Sequence, residues 1–87
     1  MRKAYINIQE IFNEIPPELR EETRMSFAIS DKIALLMEQR GLSKKQLATA
    51  IGKRPNEVTR WLSGEHNFTI ATLAKLSTFF GIPIITI

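Results

Sequence analysis

Between Gly52 and Gly64 the chain reads GKRPNEVTRWLSG, and within it Asn56 and Arg60 stand four residues apart, on one face of any helix they share. An asparagine amide sets a donor beside an acceptor, and an arginine guanidinium presents a fork of donors. These patterns match the edges of adenine and guanine as a DNA major groove displays them. Thr59 adds a methyl that can meet a thymine methyl, and Arg54 adds a further cation. The chemistry on offer is recognition, with no covalent bond made or broken. Catalysis has little to work with. His66 beside Glu65 is the only acid–base pairing of note, and no second histidine, cysteine or carboxylate cluster completes a site. A loop role is the better reading for it, and no enzyme activity is expected.

The element carrying these side chains reads as a short helix. Pro55 suits its first position, and Val58, Trp61 and Leu62 form an inward stripe, which makes Trp61 a core residue rather than a base-stacking platform. Glu57 has three available roles: an ion pair with Arg60, acceptance from a cytosine amine, or stabilisation of the helix dipole from the first turn. The preceding segment LSKKQLATAIG supplies Ser43 as N-cap, Gln46 as its capping-box partner, and Leu47, Ala48 and Ile51 as the inner face. Before that, SDKIALLMEQRG offers a cap candidate at Ser30, an apolar face at Ile33, Leu36 and Met37, and a stop at Gly41. After the quoted stretch, Thr69 caps a helix whose apolar face is Ile70, Leu73, Leu76, Phe79 and Phe80, ending at Gly81.

Two helices of about two turns each, joined by a glycine and one or two residues, bury their stripes together only at a steep crossing. Ala48 keeps that crossing close, and Gly52 supplies the positive φ of the turn. Upstream, Ile8, Ile11, Phe12 and Ile15 mark a short amphipathic helix stopped by Pro16 and Pro17. A second helix then starts at Pro17 with a thin stripe of Leu19, Met25 and Phe27, and the pattern leaves open whether it runs unbroken into the helix after Ser30. The tail IPIITI reads as a short strand or an extended arm.

Bulk properties bound the rest. The chain has 87 residues, 44% of them hydrophobic, enough for one core. With no cysteine and one histidine, disulfides and thiolate zinc sites are out, no metal or cofactor is expected, and a reducing cytoplasm is the simplest compartment. No apolar run reaches membrane-spanning length, so no membrane role is expected. The net charge of +3 is unevenly spread: residues 1–30 carry −1 and residues 31–87 carry +4, with six basic residues between Arg40 and Arg60. A polyanionic partner and a solvated basic face account for that charge equally well.

From Asp31 to Gly81 the pattern of Leu47, Ala48, Gly52, Val58 and Trp61, followed by WLSG and an apolar helix, resembles the helix-turn-helix domain of phage repressors, Cro proteins and Xre-type regulators. Residues 52–69 look particularly like small bacterial antitoxins. Two positions depart from that pattern: Lys53, where the family often has an apolar or small residue, and Pro55, where it often has a polar, base-contacting one. The resemblance implies an all-α, compact helical bundle of lambda-repressor type. Residues 1–29 would be a helical extension, 30–81 the DNA-binding domain and 82–87 an apolar tail. It implies base contacts from Asn56, Thr59 and Arg60, and phosphate contacts from Ser43, Lys44, Lys53, Arg54, Ser63, His66 and Asn67. The function it implies is transcriptional repression by a homodimer on a palindromic double-stranded operator, with half-sites about 34 Å apart. Phe79 or the tail would form the dimer contact. A toxin protein is the alternative partner, docked on the weakly acidic N-terminal segment from Met1 to Phe27.

Overall fold

The computed structural model describes Glu10 and residues 13–87. In order they form α1 (Pro17–Arg40), α2 (Lys44–Ile51), α3 (Pro55–Leu62) and α4 (Ile70–Phe80), with no strand among the described residues. The amphipathic segment expected around Ile8, Ile11 and Phe12 lies outside them.

Each boundary has a local cause. Ser43 Oγ accepts from the Gln46 amide at 3.1 Å while Gln46 Oε1 accepts from the Ser43 amide at 2.8 Å, so the expected capping box starts α2. Gly52 ends it at φ 72, letting the Lys53 amide reach back to the Ala48 carbonyl at 2.8 Å. Pro55 opens α3 from an extended Arg54. Thr69 Oγ1 accepts from the Thr72 amide at 3.1 Å and starts α4.

Three expectations are corrected. Ser30 does not begin a helix: α1 runs unbroken for 24 residues, and Ser30 is buried in the middle of it. Ile70 does not join the core; at the first position of α4 it is 82% exposed, beyond the reach of the inward face set by Leu73, Leu76 and Phe80. The tail is no strand, because Ile84 turns into the core and its amide donates to Ser77 Oγ at 3.0 Å. A backbone pinned that way has no partner edge to pair with.

The core is Ile29, Ile33, Leu36 and Met37 of α1, Leu47, Ala48 and Ile51 of α2, Val58 and Trp61 of α3, and Leu73, Leu76 and Phe80 of α4, closed by Ile84. Fully burying each large aliphatic of this set contributes roughly 1.5–3 kcal/mol. α3 packs on α2 and α1, and α4 packs on α2. Ala48, fully buried, leaves the room that the α2–α3 crossing needs.

Two polar ties fasten helix ends to this frame. Ser30 Oγ donates to the Trp61 carbonyl, one of the last-turn acceptors of α3 that the helix itself leaves unpaired. Ser30 is the buried polar side chain of the core, so that bond satisfies both partners, where a lone one would cost about 1–3 kcal/mol. Arg40 donates to the Phe80 carbonyl at the end of α4, and its guanidinium carbon lies 5.1 Å from the Phe80 ring centre. Arg40, counted by sequence among the cations open to a polyanion, is thus occupied within the fold.

Candidate nucleic-acid interface

α3 divides cleanly by face. Val58 is fully buried and Trp61 is 2% exposed, while Asn56, Thr59 and Arg60 are all exposed. The period of an eight-residue helix produces that division, because residues 58 and 61 fall three apart and residues 56 and 60 four apart. Among the described residues no hydrogen bond or ion pair holds the Asn56 amide or the Arg60 guanidinium, so their donors are free to meet a partner. The Thr59 hydroxyl donates back to the Pro55 carbonyl at 3.3 Å, so its hydrogen is already used.

Glu57 takes one of the roles open to it. Its Oε2 accepts from the Arg54 amide at 2.7 Å, closing the first turn of α3 with a carboxylate where the helix dipole favours one. The pairing with Arg60 is not formed.

The expected phosphate-contact residues fall into separate groups. Ser43 and Lys44 are exposed at the start of α2, and Arg54 is exposed at the start of α3. Lys53, half-buried in the turn, lines one hollow with Arg60, His66 and Asn67, which also has Glu57 and Trp61 in its walls. Arg60, Ser63, His66 and Asn67 line an adjoining hollow with Glu65. Ser63 braces the turn: its hydroxyl donates to the Arg60 carbonyl at 2.6 Å and accepts from the Glu65 amide at 3.2 Å. Burial, then the nearby Arg60 charge, hold the His66 imidazole below its ordinary value, against the opposite pull of Glu57.

Sequence reasoning missed a contact just past the end of α3. Gly64 is buried at φ 82 beneath the Phe27 ring, and a Cβ there would lie 2.2 Å from a ring carbon. The positive φ favours glycine there, and any larger residue would also have to displace the Phe27 ring. By spacing Phe27 belongs to a thin helical stripe, and nothing in the separation of residues 27 and 64 signals their meeting.

This arrangement fits a groove. A B-DNA major groove is about 12 Å wide and admits one α-helix with its polar side chains turned to the base edges. Among the described residues no helix is long and apolar enough to cross a membrane, and no cluster of His, Asp or Glu could hold a metal ion. No curated protein and no solved structure gives a significant match to the chain. A family model described as helix-turn-helix does match, over residues 33–87, covering the last eight residues of α1, then α2, α3, α4 and the tail. That family consists of DNA-binding regulators, not enzymes. With α2 turning into α3 at Gly52, Ala48 buried between them and the polar face of α3 exposed, the chain belongs to the helix-turn-helix family of Xre/Cro/phage-repressor type and is a double-stranded-DNA-binding regulator.

Proposed function

We propose that this regulator is a sequence-specific repressor acting as a homodimer on a palindromic operator, with Asn56, Thr59 and Arg60 at base edges. Ser43, Lys44, Lys53, Arg54, Ser63, His66 and Asn67 flank them along the phosphates. The observation that carries this reading is the division of α3, which buries Val58 and Trp61 and leaves Asn56, Thr59 and Arg60 outward. A dimer is called for because one eight-residue helix spans few base pairs. The half-buried Phe79, beside Ala50 and Ala74, and the partly exposed Ile82 and Ile85 offer apolar surface for the contact.

The assignment of roles is tested by two substitutions at exposed positions. Arg60→Ala is expected to weaken operator binding by about 1–3 kcal/mol and to relax preference at one base pair per half-site, whereas Lys44→Ala weakens operator and random DNA alike. Equal losses for both variants on both kinds of DNA, measured by titration of labelled duplexes, would sink the assignment.

The narrower role of antitoxin is supported by the resemblance of residues 52–69 to such proteins, and places a toxin on the N-terminal segment. Removing residues 1–15, which leaves α1 and its Pro16 N-cap in place, is expected to abolish co-purification with the product of the adjacent reading frame and to spare DNA binding. Loss of both together, or of neither, counts against it.

A further inference from the structure

The hollow beside α3 concentrates hydrogen-bond donors around the chain's single histidine. Lys53 enters from the turn, Arg60 from α3, and His66 and Asn67 from the loop before α4. The charged groups facing His66 are Lys53, Glu57 and Arg60, with Glu65 on the rim of the adjoining hollow. Glu57 is the carboxylate in the wall, and one of its oxygens is already bound to the Arg54 amide. The imidazole is held edge-on by Phe68, ring centres 4.8 Å apart at 88°, which limits how it can turn away. A hollow with two fixed cations, an amide and an imidazole is suited to an anionic oxygen that does not itself change charge near neutral pH. A phosphodiester is such a group.

We infer that a backbone phosphate of bound DNA enters this hollow and that His66 takes up a proton as it does so, making DNA binding proton-linked. The inference rests on the DNA-facing orientation of α3 proposed above. In the free protein burial and the Arg60 charge favour the neutral ring. A phosphate beside Lys53 and His66 reverses the balance, offsetting the nearby Arg60 charge and accepting from the imidazolium. The pKa of His66 is therefore higher in the complex than in the free chain. Linkage fixes the sign: affinity rises as pH falls through the interval between the two values, and is flat above and below it. A free anion could offer the same oxygen, so the experiment separates the two sources.

The ring of His66 is titrated by NMR in the full chain, first in chloride, then in sulfate at matched ionic strength, then bound to a short duplex of mixed sequence. Affinities for that duplex are measured from about pH 8 to about pH 6 for the wild type and for His66→Gln. Wild-type binding is expected to tighten progressively over that range, by at most about tenfold per chain for each unit by which the His66 pKa rises in the complex, while His66→Gln changes less than about twofold. The chain has no second histidine and no cysteine, and its α-amino group is common to both proteins. Duplex binding with an unmoved His66 titration overturns the inference alone. So does an equal rise in sulfate, which makes the hollow a free-anion site. Failure to bind any duplex removes the reading beneath it as well. Because the NMR arm uses the unmodified protein, the inference stays open to refutation even if His66→Gln folds poorly.

Discussion

Replacing Trp61 by alanine is expected to lower the unfolding free energy by about 3–5 kcal/mol, the range for deleting a buried large aromatic. In a domain of this size that corresponds to a fall in melting temperature of about 15–30 °C, enough to leave little folded protein at 37 °C. Three features put Trp61 at the upper end of single-residue effects. It is 2% exposed, it belongs to the same buried cluster as Val58, Leu47 and Ile51, and its carbonyl accepts from the buried Ser30 hydroxyl. Collapse around the cavity would shift that carbonyl and strand the Ser30 donor, adding to the packing loss. Its neighbour provides the contrast. Arg60→Ala, one residue away on the exposed face, should leave the melting temperature within a few degrees of wild type, since exposed substitutions stay within about 0.5 kcal/mol. Far-UV circular dichroism on the two variants reads both numbers. A Trp61→Ala protein that melts like the wild type would mean that the tryptophan does not hold α3 in place, and the division of α3 into two faces would lose its physical basis.

The parts of this fold that were legible in sequence are those whose causes are local. Ser43 and Gln46 stand three apart and close a capping box on each other; Pro55, Thr69 and Gly52 act on the backbone they belong to. The buried faces of α2 and α3 followed from periodicity, because helices this short have one inward stripe and no room for another. What stayed hidden depends on partners far along the chain. Ser30 carries the local signature of a cap, yet its hydroxyl answers to Trp61, thirty-one residues on. Arg40 counts as one more cation in a basic stretch until its guanidinium is found on the Phe80 carbonyl, forty residues away. Phe27 and Gly64 belong to the same class. Ile70 fails differently: its apolar character and spacing are right, but the core ends before the first residue of α4 begins. For the candidate site, the residue types were readable because α3 is short and its inward positions are filled. The hollow around His66 was not, since it is made by a turn, a helix and a loop that only the fold brings together.

The Arg40 contact changes what salt should do to binding, and here the expected effect is largest. Raising monovalent salt from about 50 to about 200 mM is expected to weaken duplex binding about a thousandfold, from a slope of log K on log salt near −5. That slope is what the proposed dimer gives if Lys44, Lys53 and Arg54 of each of its two chains each neutralise one phosphate and release about 0.9 of a counterion. A lone chain with the same three contacts would give a slope near −3, so the measurement separates dimer from monomer on the DNA as well as counting phosphates. Counting every cation from Arg40 to Arg60 as a phosphate contact would predict roughly twice the dimer value. Substitution then tells structural cations from binding ones. Lys44→Ala should make the slope shallower by about two in the dimer, whereas Arg40→Ala should leave it unchanged and lower the melting temperature instead, because its charge is spent on Phe80. A wild-type slope shallower than about −1 would leave too few phosphate contacts for any helix to be held in a groove, and Asn56 and Arg60 would then lack the frame that aims them at bases.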